Sequence, residues 1–389
     1  MPVEVLIKTL FILIVIVGAL APIITWVERK QSAVMQDRIG ANRAHIGGVR
    51  VLGLLHPAAD VLKLLSKEDV VPDGANRFMH WVSPLIAAIP AVIAFAVIPY
   101  GGHYTFGDKT ISLVPADRDW GLLYIFAIGA IATYGNVLSG WSSNYHWSIL
   151  GGLRVSAQMI SYEVTMGLSI VGVFMVFGTF KLTDMAVAQD ATFRVFGFLD
   201  LISVLPAGPG WLDAIRLPAW GIFLQPLGFL LFLTCIMAEN KRPPFDLPEA
   251  DSELVAGYVT EYSGMRFGLF YMAEFVEVVV IAGVVTALFL GGWAIPYLSQ
   301  QTIIDSIGSL LGVGFATIVC MLLHVGCFFT KVAFMIWLQM LIRWSFPRFR
   351  YDQLMDLCWK VILPLSLLNV FLTAGGILLA ERVVRSTPA

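Results

Sequence analysis

The sequence predicts an all-α polytopic membrane protein. About eight transmembrane helices are expected, with an amphipathic helix on the cytoplasmic side and an extra apolar helix before span 7. Two observations carry this. The chain is 58 % hydrophobic and only 13 % charged, with a mean hydropathy of +0.80, outside the range of soluble globular domains. Its apolar runs are long and continuous, whereas a membrane β-barrel would show short alternating segments. The whole chain, residues 1–389, reads as one membrane domain. The net charge of -2 says nothing about partners; there is no basic tail and no nucleic-acid motif, so no nucleic acid is expected.

Taken in order, span 1 covers residues 4–26. It ends in Glu28-Arg29-Lys30 without a small-residue cleavage site, so it reads as a retained span and not a signal peptide. A polar segment over 28–78 follows. Within it, GLLHPAADVLKLLSKED sets apolar residues at helical spacing beside Asp60, Lys63 and Lys67, the pattern of an interfacial amphipathic helix. Span 2 covers 80–100, with Pro84 and Pro90 expected to bend it. Span 3 covers 120–141. Gly151-Gly152-Leu153-Arg154 reads as a turn before span 4, 156–178, which carries Glu163. The stretch 180–217 is rich in Gly and Pro, with an apolar interfacial piece around 193–205. Span 5 covers 219–238 and span 6 covers 267–290.

Residues 306–344 are apolar for about 60 Å at helical rise, twice a bilayer core. That is either one overlong helix or two pieces broken near Gly326. The second is favoured, with span 7 over 322–344 and Lys331 inside it. RWSFPRFRYDQLMDLCWK then leads into span 8, 361–381. No internal repeat is evident.

The stretch between spans 5 and 6 organises the rest. It carries Glu239, Asp246, Glu249, Asp251, Glu253, Glu261, Glu274 and Glu277 against Lys241, Arg242 and Arg266. An ionised group inside a span costs roughly 2.5–3.5 kcal/mol on insertion scales, so such a cluster must be shielded, hydrated or partly neutral. Pro243 and Pro244 force an extended exit from span 5. Asp246 then reads as a helix N-cap, with Pro248 in the first turn and Glu249 completing a capping box. If that helix continues, Asp246, Glu249 and Glu253 share a face and Glu261 returns near it, while Gly257 and Gly264 limit its length. A solvated acidic loop is the plainer reading, but it leaves Glu274 and Glu277 unexplained among Phe, Met, Val and Ile.

Cys235, Cys320, Cys327 and Cys358 have no metal-ligand spacing and read as packing residues. No metal, iron–sulfur cluster or flavin is expected on this chain. Lys and Arg are concentrated after spans 1, 3, 5 and 7, which the positive-inside rule puts in the cytoplasm. The 28–80 segment, Arg154, the central stretch and RFRYDQ then face one side and offer a docking surface for a cytoplasmic partner.

ENKRPPFDLPEADSELVAGYVTEYSG, GGLRVSAQMISYE, ERK followed by MQDRIGANR, PAADVLKLLSKE and RWSFPRFRYDQLMDLCWK together resemble the quinone-chamber membrane-subunit family of the bacterial proton-pumping NADH–quinone oxidoreductase, respiratory complex I. The motifs run in family order from Glu28 to Lys360. Ala41, Thr165 and Asp251 depart from the family pattern and leave the charged set intact. The resemblance implies a multi-pass subunit of the bacterial inner membrane that anchors a peripheral redox arm. It implies a chamber for quinone (ubiquinone or menaquinone) and the start of a buried charged path to antiporter-like pumping subunits. The implied partners are the quinone-site and iron–sulfur subunits of the arm, the small membrane subunits and the antiporter-like subunits. The implied enzyme activity is that of a translocase subunit without a redox cofactor of its own. By motif, Glu28, Arg29, Arg38, Arg242, Phe245 and Asp246 would line the quinone tunnel. Asp60, Glu163, Glu239, Glu249, Glu253, Glu261 and Glu274 match the acidic path, and Arg154, Lys331 and Arg343 its basic positions.

The residue chemistry agrees with that assignment. Two-electron, two-proton reduction needs positive potential beside the quinone and carboxylates whose pKa values burial and mutual repulsion raise. Two rival functions are weighed. Subunits of membrane-bound hydrogenases and other donor-driven pumps share ENxR but generally lack the full run after it. A stand-alone transporter would more often show internal repeats and broken mid-membrane helices.

Overall fold

The computed structural model describes residues 2–106, 109–194, 216–248 and 251–386. Among the described residues, seven helices are long and apolar enough to cross a membrane: α1 (Ile7–Met35), α3 (Arg77–Val97), α4 (Gly121–Ser142), α5 (His146–Phe177), α10 (Gly264–Phe289), α12 (Val313–Ser345) and α13 (Tyr351–Leu379). An eighth apolar helix, α8 (Pro226–Glu239), has 14 residues, about 21 Å of rise against a core of about 30 Å. The short α7 (Gly221–Leu224) precedes it, and Gln225 separates the two. This is the expected all-α polytopic architecture.

The axis of the bundle is α10. From Val278 to Phe289 it carries Val, Ala, Gly, Thr, Leu and Phe, nearly all buried. It packs against α1, α3 and α12. α5 holds the opposite wing, against α4, α8 and α13. The amphipathic helix forms as expected, as α2 (His56–Ser66). It leans on α1 and α10, leaving Val61, Leu62 and Leu65 exposed. At the other end lie the hairpin β1 (His103–Phe106) with β2 (Lys109–Ser112), helix α6 (Leu182–Ala188), and strands β3 (Thr192–Arg194) and β4 (Arg216–Pro218). Most of the apolar piece expected at 193–205 lies outside the described residues.

Four expectations change. Gly151-Gly152-Leu153-Arg154 is no turn, because α5 runs unbroken through it. Its glycines serve close packing instead: a Cβ on Gly151 would stand 2.6 Å from the backbone nitrogen of Tyr258. α1 continues past Lys30 to Met35, so Glu28 and Arg29 are helical. The 306–344 region breaks at Gly312 (φ 86°, ψ 148°), not at Gly326. Gly326 sits mid-helix with open space around it. Before the break, α11 (Gln300–Leu311) folds back so that Ile303 meets Cys320 of α12 and Tyr104.

The fourth change concerns the central stretch. Asp246 and Pro248 lie outside helix, and among the described residues of this stretch only α9 (Asp251–Leu254) and a 3₁₀ turn at Gly257–Val259 are helical before α10. The shared face expected for Asp246, Glu253 and Glu261 is therefore not formed, and Glu249 lies outside the described residues. Positive φ at Val255 (66°) and Gly257 (57°) turns the chain there. Buried Phe245 and Leu247 draw this segment inward, so tertiary packing overrides local capping.

Gly151→Val should clash with the Tyr258 backbone and cost about 1–3 kcal/mol of overpacking. Gly167→Val, whose Cβ would have nothing within 4 Å, should cost little. Thermal unfolding midpoints of the two detergent-solubilised variants check this; equal midpoints would contradict the packing account.

Candidate functional site

The ends of α1, α8 and α12 and the start of α10 meet the central stretch at one end of the bundle. Glu28 of α1 is 5 % exposed and Arg242 is 7 % exposed. Arg242 Nη1 donates to Glu28 Oε2 at 3.0 Å, and Arg343 of α12 pairs with the other carboxylate oxygen. The Arg242 guanidinium also lies 4.4 Å over the ring of Phe275 in α10. Burial works against the Arg242 charge, but Glu28 and Glu274 outweigh it and hold its pKa above the ordinary value. Its Nε and Nη2 find no hydrogen-bond partner among the described residues.

Beside this cluster, Arg348 Nη2 donates to Asp246 Oδ2 at 2.9 Å. Phe245 packs between Tyr162 (5.8 Å) and Phe349 (5.5 Å). Gln158 of α5 donates Nε2 to the carbonyls of Ala238 and Phe245 at 2.8 and 2.9 Å, which docks the irregular chain. Arg29 pairs with Asp60 of α2 at 2.6 Å, half-exposed. Arg154 pairs with Glu253 at 2.6 Å near the surface. Arg38 is exposed just beyond α1.

Two cavities adjoin this end. One, about 320 Å³, runs between α1, α2 and α10, lined by Ala21, Thr25, Asp60, Leu64, Tyr271 and Phe275 among others. Phe275 is thus shared between its wall and the Arg242 stack. The second, about 60 Å³, brings Glu163 of α5, Glu239 of α8 and Glu277 of α10 to one apolar space, with room for a few waters. Glu239 is buried, and its Oε2 has no hydrogen-bond partner among the described residues. Glu274 accepts from the Tyr258 hydroxyl at 3.4 Å. Glu261 is partly buried in the turn into α10.

Glu28, Arg242, Arg343, Phe245 and Asp246 are thus brought together, with Glu274 and Glu239 near. Lys331 is not among them. Twelve residues separate it from Arg343, about 18 Å along α12. Its ammonium donates to the carbonyls of Gly292 (3.1 Å) and Ala294 (2.7 Å) beyond the C-terminus of α10 and lies over Trp220. Glu277 belongs to the acid set, although the family motif marks only Glu274. Its place one turn beyond Glu274 in an apolar segment is the signal that marks it in the sequence. From sequence, Lys241, Tyr258 and Gln158 have no site role, although all three lie inside the quoted motifs; residue type alone does not reveal their contacts.

Burial pushes the Asp246 carboxyl from the ordinary carboxylate range up to about 6, with Arg348 opposing. A carboxyl raised in the folded protein contributes full stability at low pH and loses it as pH rises through the raised value. Asp246→Asn keeps an acceptor for Arg348 and removes that loss. It should match or exceed the parent's stability near neutral pH and flatten the stability profile between about pH 4 and 6. Thermal melting across that window checks the sign; a parent and variant with parallel profiles would contradict it.

Comparison with known proteins identifies the family. A family model described as NADH dehydrogenase matches residues 7–374. The NADH-quinone oxidoreductase H subunit of Bdellovibrio bacteriovorus is 39 % identical over 385 residues, covering 96 % of each chain. The first of the H subunits of Cytophaga hutchinsonii is 40 % identical over 355 residues, 91 % of each chain. The second of the H subunits of Geobacter sulfurreducens is 41 % identical over 358 residues, 92 % of each. With this match along almost the whole chain, and with the motif residues gathered at one end of the helical bundle, the protein belongs to the H-subunit family of NADH-quinone oxidoreductase and is a membrane subunit of complex I.

Proposed function

We propose that this subunit forms the quinone chamber of a proton-translocating NADH:quinone oxidoreductase in the bacterial inner membrane, and that its buried carboxylates begin the path that couples quinone reduction to proton movement. The observation that carries the reading is the corridor of about 320 Å³ between α1, α2 and α10. It is apolar enough for a quinone ring and tail, and one of its walls, Phe275, lies under the Arg242 guanidinium. Against that wall, outside the corridor lining, stand two arginines, Arg242 and Arg343, that share one carboxylate. Arg242 brings unsatisfied N–H donors suited to a carbonyl oxygen. Semiquinone and quinol anions gain charge on those oxygens, so preset donors there stabilise the reduced forms. Asp60 and Arg29 stand at the α1–α2 side of the corridor.

Electrons arrive from cofactors of the peripheral-arm subunits, which dock on the end formed by the 28–80 segment, Arg154, the central stretch and Arg348–Asp352. Arg38 is part of that exposed surface. Glu163, Glu239, Glu274 and Glu277 take up the charge change. Closely spaced carboxylates titrate as a set, so a proton gained by one is felt by all. Glu253, Glu261 and the Lys331 end extend the set towards the partner subunits. Glu249 joins the proposal on its sequence motif alone.

Two experiments test this. Arg242→Ala and Arg29→Ala in the assembled complex should lower NADH:quinone activity by about 10²-fold and tenfold, buried donor against half-exposed one. NADH oxidation by a hydrophilic acceptor, taken upstream, should persist. Parallel loss of both activities would instead mean failed assembly. For orientation, Asp190→Cys should react with an impermeant thiol reagent added outside whole cells, and Asp352→Cys should be protected. The reverse labelling would refute the inside placement of the docking end.

A further inference from the structure

Lys241 takes no part in the ion pairs described above. It is 5 % exposed, and its ammonium donates to a phenol: Nζ lies 2.9 Å from the Tyr258 hydroxyl and 5.1 Å from the ring centroid. The Tyr258 hydroxyl in turn donates to Glu274 Oε1 at 3.4 Å. Lys241, Tyr258 and Glu274 thus form a continuous line of donor and acceptor atoms. The line runs from the residue beside Arg242, through the 3₁₀ turn of the central stretch, into α10.

Each member is held in place. Lys241 adopts φ 50°, the left-handed region that a non-glycine residue keeps only where its surroundings enforce it. Tyr258 is wholly buried. Phe270 meets its ring edge-on at 5.7 Å, Ser139 Oγ donates to its carbonyl at 3.4 Å, and the bare Cα of Gly151 lets α5 close on its backbone. Glu277, one turn beyond Glu274, and Glu239, two residues before Lys241, both feel the Lys241 charge. The Lys241 ammonium therefore acts on Glu239 and Glu277 through space and reaches Glu274 through the Tyr258 hydroxyl.

We propose that Lys241 and Tyr258 are the proton bridge between the Arg242 side of the central stretch and the acids of α10, a role that rests on the quinone-chamber reading above. The ammonium passes a proton to the Tyr258 oxygen while the phenol passes its own proton to the Glu274 carboxylate. One N–H and one O–H bond break, and two O–H bonds form. The products are a neutral amine, an intact phenol and a carboxylic acid, and no electron moves. A proton taken up from the solvent on the loop side restores the ammonium, and Glu274 shares its proton with Glu277. A tyrosine hydroxyl can accept and donate at once, which makes the step concerted. A merely structural Lys–Tyr contact would need only the charge over the ring.

The test uses the intact complex reconstituted into vesicles, reading NADH:quinone turnover, proton uptake and upstream activity with a hydrophilic acceptor. Tyr258→Phe keeps the ring and the cation contact but cannot relay. Lys241→Arg keeps the positive charge, but a guanidinium does not release its proton in a protein. With upstream activity normal, both variants should lose about tenfold or more in turnover and proton uptake, water recovering part of the ~10²-fold a positioned proton carrier supplies. Lys241→Gln should be no worse than Lys241→Arg, and the Tyr258→Phe/Lys241→Gln double variant no worse than either single, as for residues acting in one step. Wild-type turnover and uptake in Tyr258→Phe, full rescue by Lys241→Arg, or multiplied losses in the double variant would each overturn the bridge. Arg242→Ala run in parallel keeps the two readings apart. If it reduces quinone normally, the chamber reading has failed. If it is impaired while Tyr258→Phe and Lys241→Arg are normal, only the bridge has.

Discussion

A buried carboxylate clasped by two arginines ties the molecule together. Glu28, Arg242 and Arg343 come from α1, the central stretch and α12, and no two are near in sequence. Removing one partner from such a group typically costs 3–5 kcal/mol, because the remaining charge is left buried. The three segments must therefore arrive together or not at all. Once they do, Arg242 is laid over Phe275, the corridor wall and the ion cluster acquire a common boundary, and the central stretch is anchored at its first turn.

The second constraint is the irregular backbone between α8 and α10. Unpaired peptide groups are tolerated at membrane depth only where protein or water satisfies them. Here side chains from neighbouring helices do so. Gln158 takes the carbonyls of Ala238 and Phe245, Ser139 takes that of Tyr258, and the backbone of Phe349 donates to Pro244. These four bonds come from three places: α5, α4 and the loop before α13. The stretch is thus held by a small number of polar contacts on an apolar base of Phe245, Leu247 and Tyr258. A change of charge at Asp246, Glu28 or Lys241 acts directly on the segment those contacts hold.

The spans, the amphipathic helix and the acidic character of the organising stretch were legible because each rests on a long periodic or compositional signal. Local geometry was less so. Gly151-Gly152 reads as a turn by residue type, yet the pair is needed for close approach to Tyr258, a contact between residues over a hundred positions apart. The break at Gly312 and the continuity at Gly326 look alike in sequence; folding α11 back on α12 decides between them. Asp246 has every local mark of an N-cap, but Arg348, a hundred residues on, takes its carboxylate. The motif residues Glu28, Arg242 and Arg343 could be found, although their mutual contact could not. Lys241 and Tyr258 lie inside the motifs but carry no mark of their contact, because a relay of single side chains leaves no period and no spacing.

The two ends of α12 show how the same residue types acquire different roles through their neighbours. Arg343 meets a carboxylate, so its charge is compensated and lies beside an apolar corridor. Lys331, about 18 Å away along the helix, meets carbonyls beyond the end of α10 and the Trp220 face. Those carbonyls belong to the loop after α10, so Lys331 is held by backbone dipoles where Arg343 meets a full charge. α10 therefore has acids at and before its midpoint and an ammonium bound to the loop just beyond its end. A proton added to Glu274 or Glu277 changes the charge at one end of this axis while the other end stays fixed by backbone. The asymmetry directs any electrostatic response towards the central stretch, whose side-chain contacts are the ones able to rearrange.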